Sequence, residues 1–116
     1  MVVNFWASWC DPCRGESPVL ETVLTKTMGN GVAFVGVNEK DSRSAAKTFT
    51  RDQRITYPSV FDPNGTVAAA WPAAAGLPYT FILDRQGRIA VRIFGGVTGE
   101  ELQSTVLQIA AEPKKP

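Results

Sequence analysis

The sequence contains no histidine and only two cysteines, Cys10 and Cys13. A structural zinc ion takes about four Cys or His ligands. An intrachain zinc site is therefore excluded unless two carboxylates or a second subunit complete it. No apolar run reaches the roughly 18 residues that a membrane span needs. Basic runs are also missing and the formal net charge is only +1. That leaves no electrostatic footprint for nucleic acid or an anionic membrane. Neither the basic n-region nor the small-residue cleavage site of a signal peptide stands at the start. The chain instead opens directly on the apolar, β-favouring "MVVNFWA". This opening predicts that residues precede it in the full protein, a signal or lipid anchor among them.

What is present suffices for one globular domain. With 116 residues, 44% apolar and 20% charged, the chain can bury a core without covalent help. A single domain is expected over residues 1–111. The polar, Pro-rich end 112–116 is expected to fray as a disordered tail. No repeat, linker or low-complexity tract marks a second domain.

Residues 2–7 form a near-continuous apolar run, as in a strand covered on both faces. Residues 11 to about 28 show helical spacing in Val19, Leu20, Val23 and Leu24, with Asp11 as a candidate cap, Pro12 in the first turn and an interior Pro18 expected to kink the helix. "VAFVGVN", 32–38, is a second buried strand. A helix from about Ser42 to Arg51 follows, with Ser42 as its N-cap. "TYPSVFDPNG" reads as extended and turn-like, with Pro58 at a strand or sheet edge. "TVAAAW" is a candidate short helix, and "YTFILDRQGRIAVRIFGG" a hairpin around Asp84–Gly87. Thr98 and Glu101 open a last helix that runs to about Ala110. The predicted fold class is α/β: a mixed central sheet, its first strands parallel and its C-terminal hairpin antiparallel, with helices on both faces.

Two thiols separated by two residues have bland readings. A structural staple is a poor fit, because so short a loop removes little unfolded-state entropy. A redox couple has a physical reason at each position. Cys10 lies between a buried strand and the first turn of a helix, where unpaired N–H groups and the positive dipole end stabilise a thiolate. Cys13, one turn on, can reach its sulfur and resolve a mixed disulfide. Pro12 holds the turn without a competing N–H. A Cys-X-X-Cys beside a βαβ pattern reads as thioredoxin-like.

"VVNFWASWCDPCRGESPVLE" resembles the active-site segment of thioredoxin-like proteins, specifically the TlpA/ResA branch of thiol-disulfide oxidoreductases. "GLPYTFILDRQGRI" resembles that branch's second marked segment, and "VGVNEKDSRSAAKTF" and "YPSVFDPNG" are similar to the stretches between. The resemblance runs from Val2 to about Ile109. It implies a thioredoxin fold and a protein-disulfide reductase in which Cys10 attacks and Cys13 resolves. Trp9 is then the ring beside the active-site surface and Pro78 the cis-proline. Leu77 and Trp71 are candidate walls of a substrate groove, with an apolar loop anchor as the alternative for Trp71. No cofactor is implied beyond the Cys10–Cys13 disulfide. Implied partners are protein disulfides or dithiols, possible apocytochrome c cysteines among them, and a membrane thiol-transfer protein as electron donor. The implied setting is bacterial and extracytoplasmic, periplasmic or membrane-anchored, and the chain is expected to act as a monomer.

The flanking residues sharpen the direction of electron flow. A carboxylate at Asp11 opposes thiolate formation at Cys10 and favours the disulfide, which makes the couple reducing. Asn4 stands where cytosolic thioredoxins carry a buried Asp, and an amide takes up no proton at neutral pH. In the resembling branch an acid follows the second strand. Asp41 aligns best with it and Glu39 second, so Asp41 is expected near Cys13 with an abnormal titration. Glu16 reads as a solvated helix residue or dipole partner, with a substrate-facing position as the alternative. Three other readings stay open: a disulfide-forming oxidase or isomerase of the same fold, a non-catalytic binding module, and a peroxidase. Ala7, where peroxiredoxins use a Thr three residues before the Cys, weighs against the last.

Overall fold

A computed structural model describes residues 1–72, 76–96 and 98–113. The middle of the "PAAAGLP" loop and most of the tail expected to fray lie outside the described residues. Five strands form one sheet: β1 (Val2–Trp6), β2 (Phe34–Glu39), β3 (Ser59–Asp62), β4 (Tyr79–Leu83) and β5 (Ile89–Phe94), in the order β3-β2-β1-β4-β5. β1 pairs parallel with β2, and β2 with β3, whereas β4 runs antiparallel to β1 and β5 to β4. The sheet is thus mixed, as the sequence predicts. "TYPSVFDPNG" goes further than its extended reading, because Ser59–Asp62 is a short outer strand that Pro58 introduces.

The helices are α1 (Asp11–Thr27), α2 (Arg43–Asp52), the single-turn α3 (Thr66–Ala69) and α4 (Gly99–Ala110). Caps set their starts: the Ser42 and Thr98 side chains accept from the N–H of Ala45 and Glu101. α1 runs unbroken through Pro18 to Thr27, and a 3₁₀ turn at Met28–Asn30 follows. Because β1, β2 and β3 step in one direction across the sheet, right-handed crossovers bring α1 and α2 to the same face. α4 packs beside α1 there, burying Leu20, Val23, Leu102 and Val106 over Val2, Phe34 and Ile82. Full burial of each such side chain is worth about 1.5–3 kcal/mol. On the opposite face, Val3, Phe5, Val37 and Phe81 pack under Ala68 of α3.

This topology places the site. β1 is where the strand order reverses, with β2 and β3 on one side and β4 and β5 on the other. Open α/β sheets bind ligands outside the strand ends at such a point. The C-terminal end of β1 carries Cys10. The antiparallel β4 starts beside it, as the pairing of Phe5 with Tyr79 shows, so Pro78 reaches the same edge.

Candidate redox site

Cys10 and Cys13 are joined by a disulfide, their Cα atoms 5.3 Å apart. Cys10 itself is the N-cap of α1. Its backbone is extended and its Sγ accepts from the Cys13 N–H at 3.2 Å, the position that a Ser or Asn oxygen takes in an ordinary cap. Asp11, expected as a cap, is instead the first helical residue and is exposed. Pro12 sits in the first turn, where its missing N–H has no partner to lose. Both cysteines are buried with Trp6, Ala7, Ala46 and Phe49, and Leu77 packs against this cluster. The Leu77–Pro78 peptide bond is cis, and the Pro78 carbonyl accepts from the Gly95 N–H. Trp9 is 60% exposed and its indole N–H donates to the Lys40 carbonyl at 2.8 Å.

Trp71 belongs elsewhere. It stacks on Phe81 at 5.5 Å and meets Phe5 edge-on, within the cluster on the opposite face. This is the loop-anchor alternative, and the structure does not bring Trp71 to the cluster around the cysteines. The hollow flanking the pair, about 380 Å³, is lined instead by Ser8, Arg14 and α2 residues including Ala45, Phe49 and Asp52.

Asp41, the expected partner of Cys13, is held by a dense set of donors. Its carboxylate takes four hydrogen bonds: Ser8 N–H at 2.7 Å, Ser8 hydroxyl at 2.8 Å, Asn38 amide at 2.9 Å and Ser42 N–H at 2.8 Å. Burial pushes this carboxyl up, but the donors from Asn38, Ser8 and Ser42 outweigh it and hold it below the ordinary range. An abnormal titration is expected of Asp41, and its direction is downward, towards a carboxylate held ionised by its donors. Together with the Trp9–Lys40 bond, Asp41 ties the loop that carries Cys10 to the end of β2 and the start of α2. Glu39, the second choice, is engaged by the Tyr79 hydroxyl at 3.1 Å.

The acid with basic character at neutral pH is Glu16, which the sequence reading assigned to solvent. It is 5% exposed, one turn beyond Cys13 on the buried face of α1 that also carries Ser17, Leu20 and Val23. One oxygen accepts from the Asn4 amide at 3.2 Å, and the other is buried without a hydrogen-bond partner among the described residues. Burial raises its pKa to about 7, against a smaller downward pull from Asn4. Asn4 is the hub that orients it, also donating to the Thr80 hydroxyl and accepting from the Tyr57 hydroxyl. The signal for Glu16 lay in helical spacing: i+3 from Cys13, it falls in the arc that the apolar residues mark as buried.

Comparison with known proteins agrees with this geometry. The family model described as "AhpC/TSA family" matches residues 1–92. The chain is 37% identical over 106 residues to the thiol:disulfide interchange protein HelX of Rhodobacter capsulatus, covering 90% of this chain and 57% of that protein. It is 28% identical over 107 residues to the thiol-disulfide oxidoreductase ResA of Bacillus cereus, covering 92% of this chain and 61% of that protein. The chain thus spans less than two thirds of the length of these curated relatives. Among solved structures, a secreted thiol-disulfide isomerase from Corynebacterium glutamicum superposes with a TM-score of 0.87 at 32% identity, over 96% of this chain and 70% of that one. By sequence and by its thioredoxin fold, the chain belongs to the AhpC/TSA family.

Proposed function

We propose that the protein is a thiol-disulfide oxidoreductase that reduces disulfides of extracytoplasmic bacterial proteins. The observation that carries this reading is the Cys10–Cys13 disulfide at the N-terminus of α1 with a buried acid of near-neutral pKa one turn behind it. The cycle starts from the dithiol. The Cys10 thiolate, stabilised by the Cys13 N–H and the helix end, attacks one sulfur of a substrate disulfide. A mixed disulfide forms and the other substrate sulfur leaves as a thiolate. Cys13 then gives its proton to the Glu16 carboxylate and attacks Cys10 Sγ, so the second substrate thiolate departs. Two electrons pass to the substrate and Cys10–Cys13 closes. A dithiol protein, in this reading a membrane thiol-transfer protein, returns the electrons.

Exposed Trp9 and the edge at Leu77 and Pro78 flank the pair and offer a substrate peptide its contact surface. Asp11, adjacent to Cys10, disfavours the thiolate and tilts the couple towards reduction. Buried Ala7, three residues before Cys10, offers no hydroxyl to a peroxide. The names of the relatives as interchange proteins and oxidoreductases support the chemistry, their organisms support a bacterial setting, and the resemblance to the TlpA/ResA branch supports apocytochrome c cysteines as a substrate.

Trapping tests the reading. Reduced Cys13→Ser protein, incubated with an oxidised peptide carrying a haem-binding cysteine pair, is expected to accumulate a mixed disulfide through Cys10 that dithiothreitol dissolves. The Cys10→Ser/Cys13→Ser protein should form none. No adduct, together with no insulin reduction by the unaltered protein, sinks the reading. An adduct accompanied by a redox potential near the roughly −120 mV of a strong oxidase, instead of the roughly −270 mV of thioredoxin, reverses its direction.

A further inference from the structure

A cavity of about 620 Å³ opens on the sheet face that carries α1 and α2, between α2 and the outer strand β3. Its floor follows from the strand register. Trp6, Asn38 and Phe61 are paired neighbours on β1, β2 and β3, so their side chains share one face. α2 is seated on the inner part of that rung, where Phe49 stacks on Trp6 at 4.9 Å, and leaves the outer part open. Gly36 is needed for this arrangement. A Cβ there would run into the Ser59 hydroxyl and come within 2.7 Å of Trp6 Nε1. Without one, the indole lies across the strand and donates to Ser59 Oγ at 3.0 Å.

The walls are charged on one side only. Arg43, Lys47, Arg51 and Arg54 line the cavity, and no acidic residue does among the described residues. The chain as a whole is nearly neutral at +1, so four cations lining one cavity are a local concentration. Arg43 is held over the Phe61 ring at 4.3 Å and Arg51 pairs with Asp52. Lys47 and Arg54 are exposed and make no ion pair among the described residues. Beneath them Asn38 is buried, its amide nitrogen donating to Asp41 and its Oδ1 without a partner among the described residues.

We propose that this cavity binds an amphiphilic anion of small-molecule size. A flat apolar body lies against Ile55, Pro58 and the edges of Trp6 and Tyr57, and a carboxylate, sulfonate or similar head meets Lys47 and Arg54. The volume lies within the range of about 300–1,000 Å³ typical of small-molecule sites, and an apolar floor with a few convergent charges is their usual lining. Low-dielectric walls of one charge sign concentrate an ion of the other. Trp6 and Ala46 also pack around the disulfide, so the occupant lies one side chain from the redox pair without needing it.

The probe is 1-anilinonaphthalene-8-sulfonate, with N-phenyl-1-naphthylamine as its uncharged counterpart. The sulfonate is expected to bind the oxidised protein saturably and to weaken as salt rises from about 20 mM to about 500 mM, whereas the neutral amine binds more weakly and without salt dependence. Lys47→Glu/Arg54→Asn, in which Asn tolerates the left-handed backbone of Arg54 (φ 54°), should weaken the sulfonate roughly tenfold and leave the urea midpoint unchanged. The three indole N–H resonances locate the probe, since Trp6 lies in the cavity, Trp9 at the redox surface and Trp71 on the opposite sheet face. A shift at Trp6 with Trp9 and Trp71 still supports the proposal. A shift at Trp9 instead, equal binding of both probes, or equal binding by the variant overturns it.

Discussion

The two flanks of the Cys10–Cys13 pair each hold one partly or fully buried carboxyl group, and they are built in opposite ways. On the β2–α2 side, Asp41 is saturated by four donors and stays below its ordinary pKa. On the β1 side, Glu16 is buried with one donor and, among the described residues, no partner for its second oxygen, and it rises to about 7. Burial acts upward on both, so the number of fixed donors decides the sign. A carboxylate that collects hydrogen bonds becomes a structural clamp. One that is starved of them becomes a group able to trade a proton near neutral pH.

The largest effect should come from overloading the starved side. Asn4→Asp removes the donor to Glu16 and puts a second carboxyl within the same buried contact. Two acids cannot both ionise there. A loss of about 3 kcal/mol or more is expected at pH 8, shrinking towards pH 5 as the pair takes up protons. Urea unfolding of the oxidised protein at the two pH values checks it. An equal loss at both would show that the two carboxyls do not share a site.

Stripping the saturated side should cost somewhat less. Asp41→Ala leaves the Ser8 and Ser42 donors and the Asn38 amide without their acceptor, and about 2–3 kcal/mol of stability should go with charge-assisted bonds of this kind. The folded-state pKa is depressed, so the contribution of Asp41 is present above the ordinary value of 3.8 and fades as pH falls below it. The difference between variant and unaltered protein should therefore narrow in acid. The Trp9 indole N–H, bonded to Lys40 O, should exchange faster in the variant than in the unaltered protein. Retained protection would mean that Asp41 does not anchor the loop.

Local patterns made much of this legible in the sequence. The strand–CxxC–helix unit, the caps at Ser42 and Thr98 and the hairpin at Asp84–Gly87 are each written in a few adjacent residues, and the structure bears them out. What escaped depends on partners far along the chain. Ser59–Asp62 is too short to announce itself and becomes a strand only by pairing with β2. The polar turn drew attention to Asp41, but Ser8, 33 positions away, determines what it does. Glu16 looks like any charged residue of a helix until β1 supplies Asn4 and closes over it. Acidity in a polar turn is easily seen and here serves as a clamp, whereas acidity on an apolar helix face is the harder to see.

The smallest change sharpens the comparison most, because it keeps shape and removes only charge. Glu16→Gln can keep the bond to Asn4 with little rearrangement. Since the folded-state pKa of Glu16 is raised, its carboxyl supports the fold while protonated, and that support is lost as pH climbs from about 4.5 through about 7. The variant and the unaltered protein should match at pH 4 to 5. Above pH 7 the variant should be the more stable by on the order of 1–2 kcal/mol, less than full linkage because the folded protein relaxes around a buried charge. In the proposed redox cycle the same substitution removes the acceptor assigned to the Cys13 proton. Release of the mixed disulfide should then slow at neutral pH, while the first attack by Cys10 is changed less. If stability separates with pH but release does not slow, Glu16 is a buried acid without a part in the chemistry. If release slows without any change in the pH dependence of stability, its proton is not the one that moves.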